Sequence, residues 1–201
     1  MLLAALGTVC VAFAADAQEN SSERMNVSVC NLGELPGTVV ARAENEASAV
    51  FRSMNVEVVW RECSDGPAPP QAARAHWFTL HLRSDAPPRM AGLASLDTMG
   101  LAYFAADGTG FLADTYYKAV QWVAGSNTSD AADLLGCVMA HELGHLLLGP
   151  GHVPNGIMHA AWKSRDVEAA RKHWLTFNTA QSARIRSVLE TTAGAEVKGG
   201  R

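Results

Sequence analysis

The residues best suited to chemistry form one short segment, His141-Glu142-Leu143-Gly144-His145. Residues four apart lie on the same face of a helix, so both imidazoles can reach one metal ion from successive turns. Zinc accepts neutral imidazole nitrogens at about 2.0–2.1 Å and prefers tetrahedral sites. Glu142 is rotated by about 100° from His141, so its carboxylate can reach a water molecule without binding the ion. The pattern predicts two zinc ligands and one general base on a single helix.

A zinc site that keeps one position open for water needs a third protein ligand. The helix is expected to end at Gly149-Pro150-Gly151, whose two glycines can turn the chain back towards the ion. His152 follows directly, and we expect it to be the third ligand. The alternatives are an acidic residue of the next helix, Glu168 first and Asp166 second, or His159.

Met158 lies six residues beyond His152, at the end of Asn155-Gly156-Ile157-Met158. Methionine is an adaptable core side chain, and this placement predicts an apolar floor beneath the ion. Trp162 can close the same floor, although an ordinary core tryptophan is an equally good interpretation. The remaining histidines are more simply strand or surface residues: His76, His81 and His173.

The sequence from His141 to His152, HELGHLLLGPGH, together with Gly156-Ile157-Met158, resembles the zincin metallopeptidases and, within them, the metzincin clan. That clan has the zinc motif H-E-x-x-H-x-x-G-x-x-H and then a turn containing methionine. From Val27 to near Leu189 the chain also resembles a group of short secreted bacterial zincin-like proteins. The resemblance implies a hydrolase, a zinc-dependent endopeptidase that acts on a peptide or protein. Its implied ligands and general base are the residues named above: His141, His145, His152 and Glu142.

Two features depart from the metzincin pattern. Gly149 lies four residues after His145 rather than three, and His152 lies seven after it rather than six, so one residue is inserted. Some metzincins carry a tyrosine two positions beyond the turn methionine, where this chain has Ala160. The available phenols, none of which can be assigned to that role, are Tyr103, Tyr116 and Tyr117.

Two other functions fit the same residues. A zinc-binding module without peptidase activity needs ligands only, and Glu142 argues against it because a structural site has no use for a base. A gluzincin-type peptidase would take Glu168 as its third ligand. The family likeness further implies that a sheet edge within Leu101–Ala113 pairs with an extended substrate.

Length and composition predict one soluble globular domain. The chain has 201 residues, 48% of them hydrophobic and 18% charged, and a formal net charge of −4. Such a length can bury one sizeable core. Because the chain has no general basic field, nucleic acid is not an expected partner. We expect a monomer.

The N-terminus predicts export. Residues 1–14 are apolar, uncharged and too few to cross a bilayer as an ordinary helix, so we expect no stable membrane anchor. Small residues follow at the spacing of a signal-peptidase site, with cleavage near Ala14 or Ala17. The predicted organisation is a signal peptide at 1–17, the peptidase domain at 18–192 and a loose tail at 193–201. The mature protein would be secreted or periplasmic.

Three cysteines would remain after cleavage. Cys30 and Cys63 each end a strand-like stretch, and the two stretches flank one helix, so their ends can meet. In an oxidising compartment this predicts a Cys30–Cys63 disulfide. Cys137 lies within an apolar helix and is predicted to be a buried free thiol.

Strand-like segments dominate the first half of the chain and helical ones the second, which predicts an α+β fold. We expect a single zincin-like domain with a mixed, mainly antiparallel sheet, an active-site helix and C-terminal helices. The segment Asp114–Val123 is ambiguous between strand and helix. The predicted strands are Met25–Leu32, Val56–Trp60, Trp77–Leu82, Gly100–Phe104 and Gly110–Ala113, and the predicted helices are 36–54, 130–148, 165–174 and 179–189.

Overall fold

The computed structural model describes residues 22–63, 76–86 and 98–198. The predicted signal peptide at 1–17 lies outside the described residues. The elements follow the predicted α+β order. In chain order they are β1 (Glu23–Asn31), α1 (Gly37–Arg52), β2 (Val56–Glu62), β3 (Trp77–Arg83), β4 (Gly100–Phe104), β5 (Gly110–Tyr116), α2 (Tyr117–Ala124), α3 (Thr128–Leu148), α4 (Ser164–Arg171) and α5 (Thr179–Lys198).

The five described strands form one sheet in the order β2-β1-β3-β5-β4. The pairs β1–β2, β1–β3 and β3–β5 are parallel, and only β4–β5 is antiparallel. The expectation of a mainly antiparallel sheet is therefore wrong. Helix α1 carries the chain back across the sheet, so β2 enters in the same direction as β1. A tight turn at Asp107-Gly108, where Gly108 has φ 82°, produces the single antiparallel pair.

One face of the sheet is covered by helices. Along β3, Phe78, Leu80 and Leu82 are buried while the residues between them are half-buried, as expected when alternate side chains point to opposite faces. Helix α3 packs against β4, β5 and α1. By length and composition alone it could cross a membrane, but 94% of its most apolar 18-residue stretch is buried inside the protein. It is the central core helix.

The cysteine predictions are confirmed. Cys30 and Cys63 form a disulfide with a Cα–Cα distance of 4.6 Å, at the ends of the neighbouring strands β1 and β2. Cys137 is a buried free cysteine in α3.

Several element boundaries differ from the predicted ones. The ambiguous segment divides at Tyr116, where β5 ends and α2 begins. Helix α5 continues to Lys198, so residues 193–198 are helical rather than a loose tail. Alanine and glutamate favour a helix there, with only Gly194 opposing it. Helix α3 begins after Asn127, whose side chain accepts hydrogen bonds from the amides of Ser129 and Asp130.

Candidate metal centre

Three imidazoles converge at the C-terminal half of α3. The Nε2 atom of His145 lies 3.0 Å from that of His141 and 3.2 Å from that of His152. The ligand atoms of all three lie within 4.8 Å of one another, close enough to share one metal ion. His141 and His145 are buried and His152 is exposed.

Hydrogen bonds fix the orientation of the two helical imidazoles. Nδ1 of His141 lies 2.7 Å from the carbonyl oxygen of Ile157, and Nδ1 of His145 lies 3.3 Å from that of Gly149. A carbonyl oxygen only accepts, so each Nδ1 carries the proton and each Nε2 presents a lone pair. Burial lowers the pKa of His141 to about 3 and also lowers the pKa of His145, which keeps both rings neutral.

This donor set fits a metal cation. Two lone pairs facing each other at 3.0 Å repel unless a positive charge lies between them. In a tetrahedral site with bonds of about 2.0–2.1 Å, neighbouring ligand atoms are about 3.3 Å apart. The distances of 3.0 and 3.2 Å are close to that value.

The loop after α3 absorbs the residue inserted before His152. Gly149 has φ 92° and Gly151 has φ 133°, conformations that side-chain-bearing residues rarely adopt. These glycines let the chain fold back towards the helix within a few residues. The inserted residue therefore lengthens the loop without carrying His152 away from His145.

The alternative third ligands lie elsewhere. Glu168 is on α4, where its carboxylate pairs with Lys172 at 2.9 Å and with Arg171 at 3.4 Å. Asp166 accepts a hydrogen bond of 2.7 Å from the backbone amide of Lys163. His159 stacks on Trp162 with ring centroids 5.4 Å apart. None of the three belongs to the histidine cluster.

Glu142 is buried against strand β4. A Cβ built at Gly100 would meet the Glu142 side chain, with its Cγ at 2.6 Å and its Cδ at 2.7 Å. Burial, with a smaller contribution from the charge of Asp114, raises the pKa of Glu142 to about 8. The lack of a side chain at Gly100 thus lets the carboxyl group lie directly on the backbone of β4.

Met158 lies beneath the helix. A Cβ at Gly144 would meet the Sδ atom of Met158 and the Cε1 atom of Phe177, each at 2.7 Å. Trp162 packs edge-on against His141 with ring centroids 5.7 Å apart. Met158 therefore packs against α3 next to His145, and Trp162 lies beside His141. Gly100 and Phe177 were not predicted, because nothing in their local sequence distinguishes them.

A cavity of about 490 Å³ opens at the cluster. Strand β4 is one of the two edge strands of the described sheet and lies along this cavity. The three tyrosines do not line it. The lining comprises Thr98–Ala102, Phe104, Val138, His141, Glu142, His145, Pro150–His152 and Ala160–Trp162.

Comparison with known proteins identifies a structural likeness. The archaemetzincin of Methanopyrus kandleri superposes with a TM-score of 0.53 at 19% identity, covering 84% of this chain and 97% of that one. Metalloproteinase-II of Bacteroides fragilis gives a TM-score of 0.47 at 13% identity, covering 83% of this chain and 53% of that one. No protein-family model and no curated protein sequence matches. The chain has a zincin-like fold, similar to that of archaemetzincin.

Proposed function

We propose that this protein is a zinc-dependent endopeptidase. The observation that carries the proposal is the convergence of three imidazole Nε2 atoms next to a buried glutamate, in a cavity beside an edge strand. His141, His145 and His152 would hold the ion. Bound there, zinc would lower the pKa of a water molecule and polarise a peptide carbonyl.

Glu142 is proposed as the general base. Its carboxyl group lies in the same cavity as the three imidazoles, on the next residue of the same helix, but is not part of the ligand cluster. In its ionised form, which a cation bound at the three imidazoles would favour, it would take a proton from the attacking water and deliver it to the leaving amine. Its close packing against Gly100 limits where the carboxyl group can lie, which favours proton transfer in a fixed geometry.

A peptide or protein substrate is supported by the position of β4. An edge strand offers backbone donors and acceptors on its outer side, which an extended peptide can pair with. Residues Gly100, Leu101 and Ala102 of β4 line the cavity that contains the cluster. A peptide added at this edge would bring its backbone alongside Glu142.

Two rival functions are less well supported. A non-catalytic zinc module does not need a buried carboxyl group, whose desolvation is costly. A gluzincin-type site would need Glu168, which is exposed and paired with Arg171 and Lys172.

The proposed location is outside the cytoplasm. The Cys30–Cys63 disulfide is compatible with an oxidising compartment. Cleavage near Ala14 or Ala17, a monomeric state and the lack of a membrane anchor remain predictions.

The decisive experiment compares wild type with Glu142→Gln, measuring zinc content and the turnover of a fluorogenic peptide library on the same samples. We expect one zinc per chain in both proteins. Turnover should fall about 10²- to 10⁴-fold in the variant. Glu168→Gln is the matched control and should retain both properties. Equal turnover in wild type and Glu142→Gln would exclude Glu142 as the general base. A wild-type protein that contains zinc but cleaves no peptide would favour the non-catalytic zinc module.

A further inference from the structure

A buried carboxylate lies across the sheet from the histidine cluster. Asp114 of β5 is 2% exposed, and its two oxygens contact side chains from two neighbouring strands. Oδ1 lies 2.9 Å from Nδ1 of His81, and Oδ2 accepts 2.9 Å hydrogen bonds from Nε of Arg83 and the hydroxyl of Tyr103. One carboxylate therefore connects β3, β5 and β4.

Tyr103 and Gly100 lie on opposite faces of β4. Gly100 contacts Glu142 on the face covered by α3. Since side chains alternate along a strand, Tyr103 points to the other face, where its hydroxyl meets Asp114. Tyr103 thus holds β4 from the side away from the histidine cluster.

The backbone pairing of β4 is irregular near its last residues, although just beyond them the Ala105 amide donates a 2.8 Å hydrogen bond to the carbonyl of Thr109. Within the described sheet it pairs only with β5, and the register shifts between Tyr103 and Phe104. Such an irregularity interrupts the backbone ladder and leaves a residue without its regular partner. The Tyr103–Asp114 bond joins β4 to β5 at this irregularity, and through Asp114 to β3.

We propose that Tyr103 is a positioning residue for the peptide-binding edge, acting through its hydrogen bond to Asp114. This inference rests on the proposed peptidase function. The bond holds the outer N–H and C=O groups of β4 in line for an added peptide strand. Tyr103 does not line the cavity, so it acts on the substrate only through the backbone of β4.

The hydroxyl can be removed without leaving the carboxylate unpaired. In Tyr103→Phe, Asp114 keeps its contacts with His81 and Arg83. The Tyr103 hydroxyl also interacts with the Tyr116 side chain, so the loss should be confined to β4 and the adjoining end of β5. Tyr117 supplies the matched control, because it is a buried tyrosine on α2 whose hydroxyl has no hydrogen-bond partner among the residues that the structure describes.

The experiment measures steady-state kinetics on an extended peptide, zinc content, and hydrogen exchange of the β4 amides. Tyr103→Phe should raise KM about three- to tenfold with kcat within about twofold, because it weakens binding in the ground and transition states alike. Zinc content should not change. Exchange should become faster in β4 but not in β1. Tyr117→Phe should match wild type in all these measurements.

Two results would overturn the inference. One is an unchanged KM together with unchanged exchange in β4. The other is a fall in kcat or zinc content at constant KM, which would place Tyr103 in a different role. If the wild-type protein cleaves no peptide, the proposed function fails separately. Hydrogen exchange of the β4 amides then decides whether Tyr103 anchors the strand. Equal exchange rates in Tyr103→Phe and Tyr117→Phe would reject the anchoring role.

Discussion

The imidazole of His141 is held at its Nδ1 atom by the carbonyl oxygen of Ile157, 2.7 Å away. Ile157 directly precedes Met158, so this bond joins the central helix to the turn beneath it. The turn is held in its own place by a 3.0 Å hydrogen bond from the Ile157 amide to the carbonyl of Thr176. Partners of this kind fix the ring orientation of metal-binding histidines. The orientation of the His141 ring thus depends on residues that lie outside the helix and far along the chain from it.

Replacement of Gly144 should disturb this support. In Gly144→Ala the new methyl group would collide with Met158 and Phe177. Overpacking costs about 1–3 kcal/mol, and the better helix propensity of alanine returns up to about 1 kcal/mol. We expect urea denaturation to show a free energy of unfolding lower by about 1–2 kcal/mol, with weaker zinc binding. In the control Gly37→Ala, where a Cβ meets no atom of the described residues within 4 Å, stability should be unchanged or slightly higher.

The identity of the third ligand can be tested by zinc affinity. His152→Ala removes one of the three converging imidazoles and should weaken zinc binding by more than the roughly 10- to 100-fold attributed to outer partners. Glu168→Ala removes a carboxylate paired with Lys172 and should leave the affinity unchanged. Competition with a chromogenic chelator measures both. The opposite ranking would support the gluzincin-type site.

The position of Glu142 can be tested without altering Glu142 itself. A methyl group in Gly100→Ala would occupy the space of the Glu142 side chain and displace its carboxyl group. We expect kcat to fall by about 10²-fold, the effect of misplacing a group by about 1 Å. Zinc content, measured by mass spectrometry, should stay at the wild-type level. A variant with full activity would show that the close packing at Gly100 has no part in catalysis.

The disulfide should contribute to stability. It closes a loop with a sequence separation of 33 between Cys30 and Cys63, for which chain entropy predicts about 3–4 kcal/mol. A reducing agent should lower the Tm of the wild-type protein. The double variant Cys30→Ala/Cys63→Ala should start at the lower Tm and not respond to the reductant. An equal fall in Tm on reduction of the wild type and the double variant would point to another thiol.

The parts of the molecule that follow from local spacing could be predicted from the sequence. His141 and His145 share a face because a helix repeats every 3.6 residues, and paired glycines after the helix made the return of His152 reasonable. The strand directions could not be predicted, because alternating side chains define the faces of a strand and not the direction of its neighbour. The contacts of Gly100 with Glu142 and of Gly144 with Phe177 join distant parts of the chain, which no local pattern reports.

The three histidines differ in the backbone that positions them and in their exposure. His141 and His145 are buried on a helix whose folding has already restricted them, whereas His152 is exposed on a loop that turns at Gly149 and Gly151. Glycines lose more conformational freedom than other residues when a loop is ordered. The entropy of ordering this loop would therefore enter the affinity for a metal ion held by the three histidines. Of the three residues that would hold a metal ion, His152 is the one whose contribution this loop would reduce, because His152 must be ordered together with the loop.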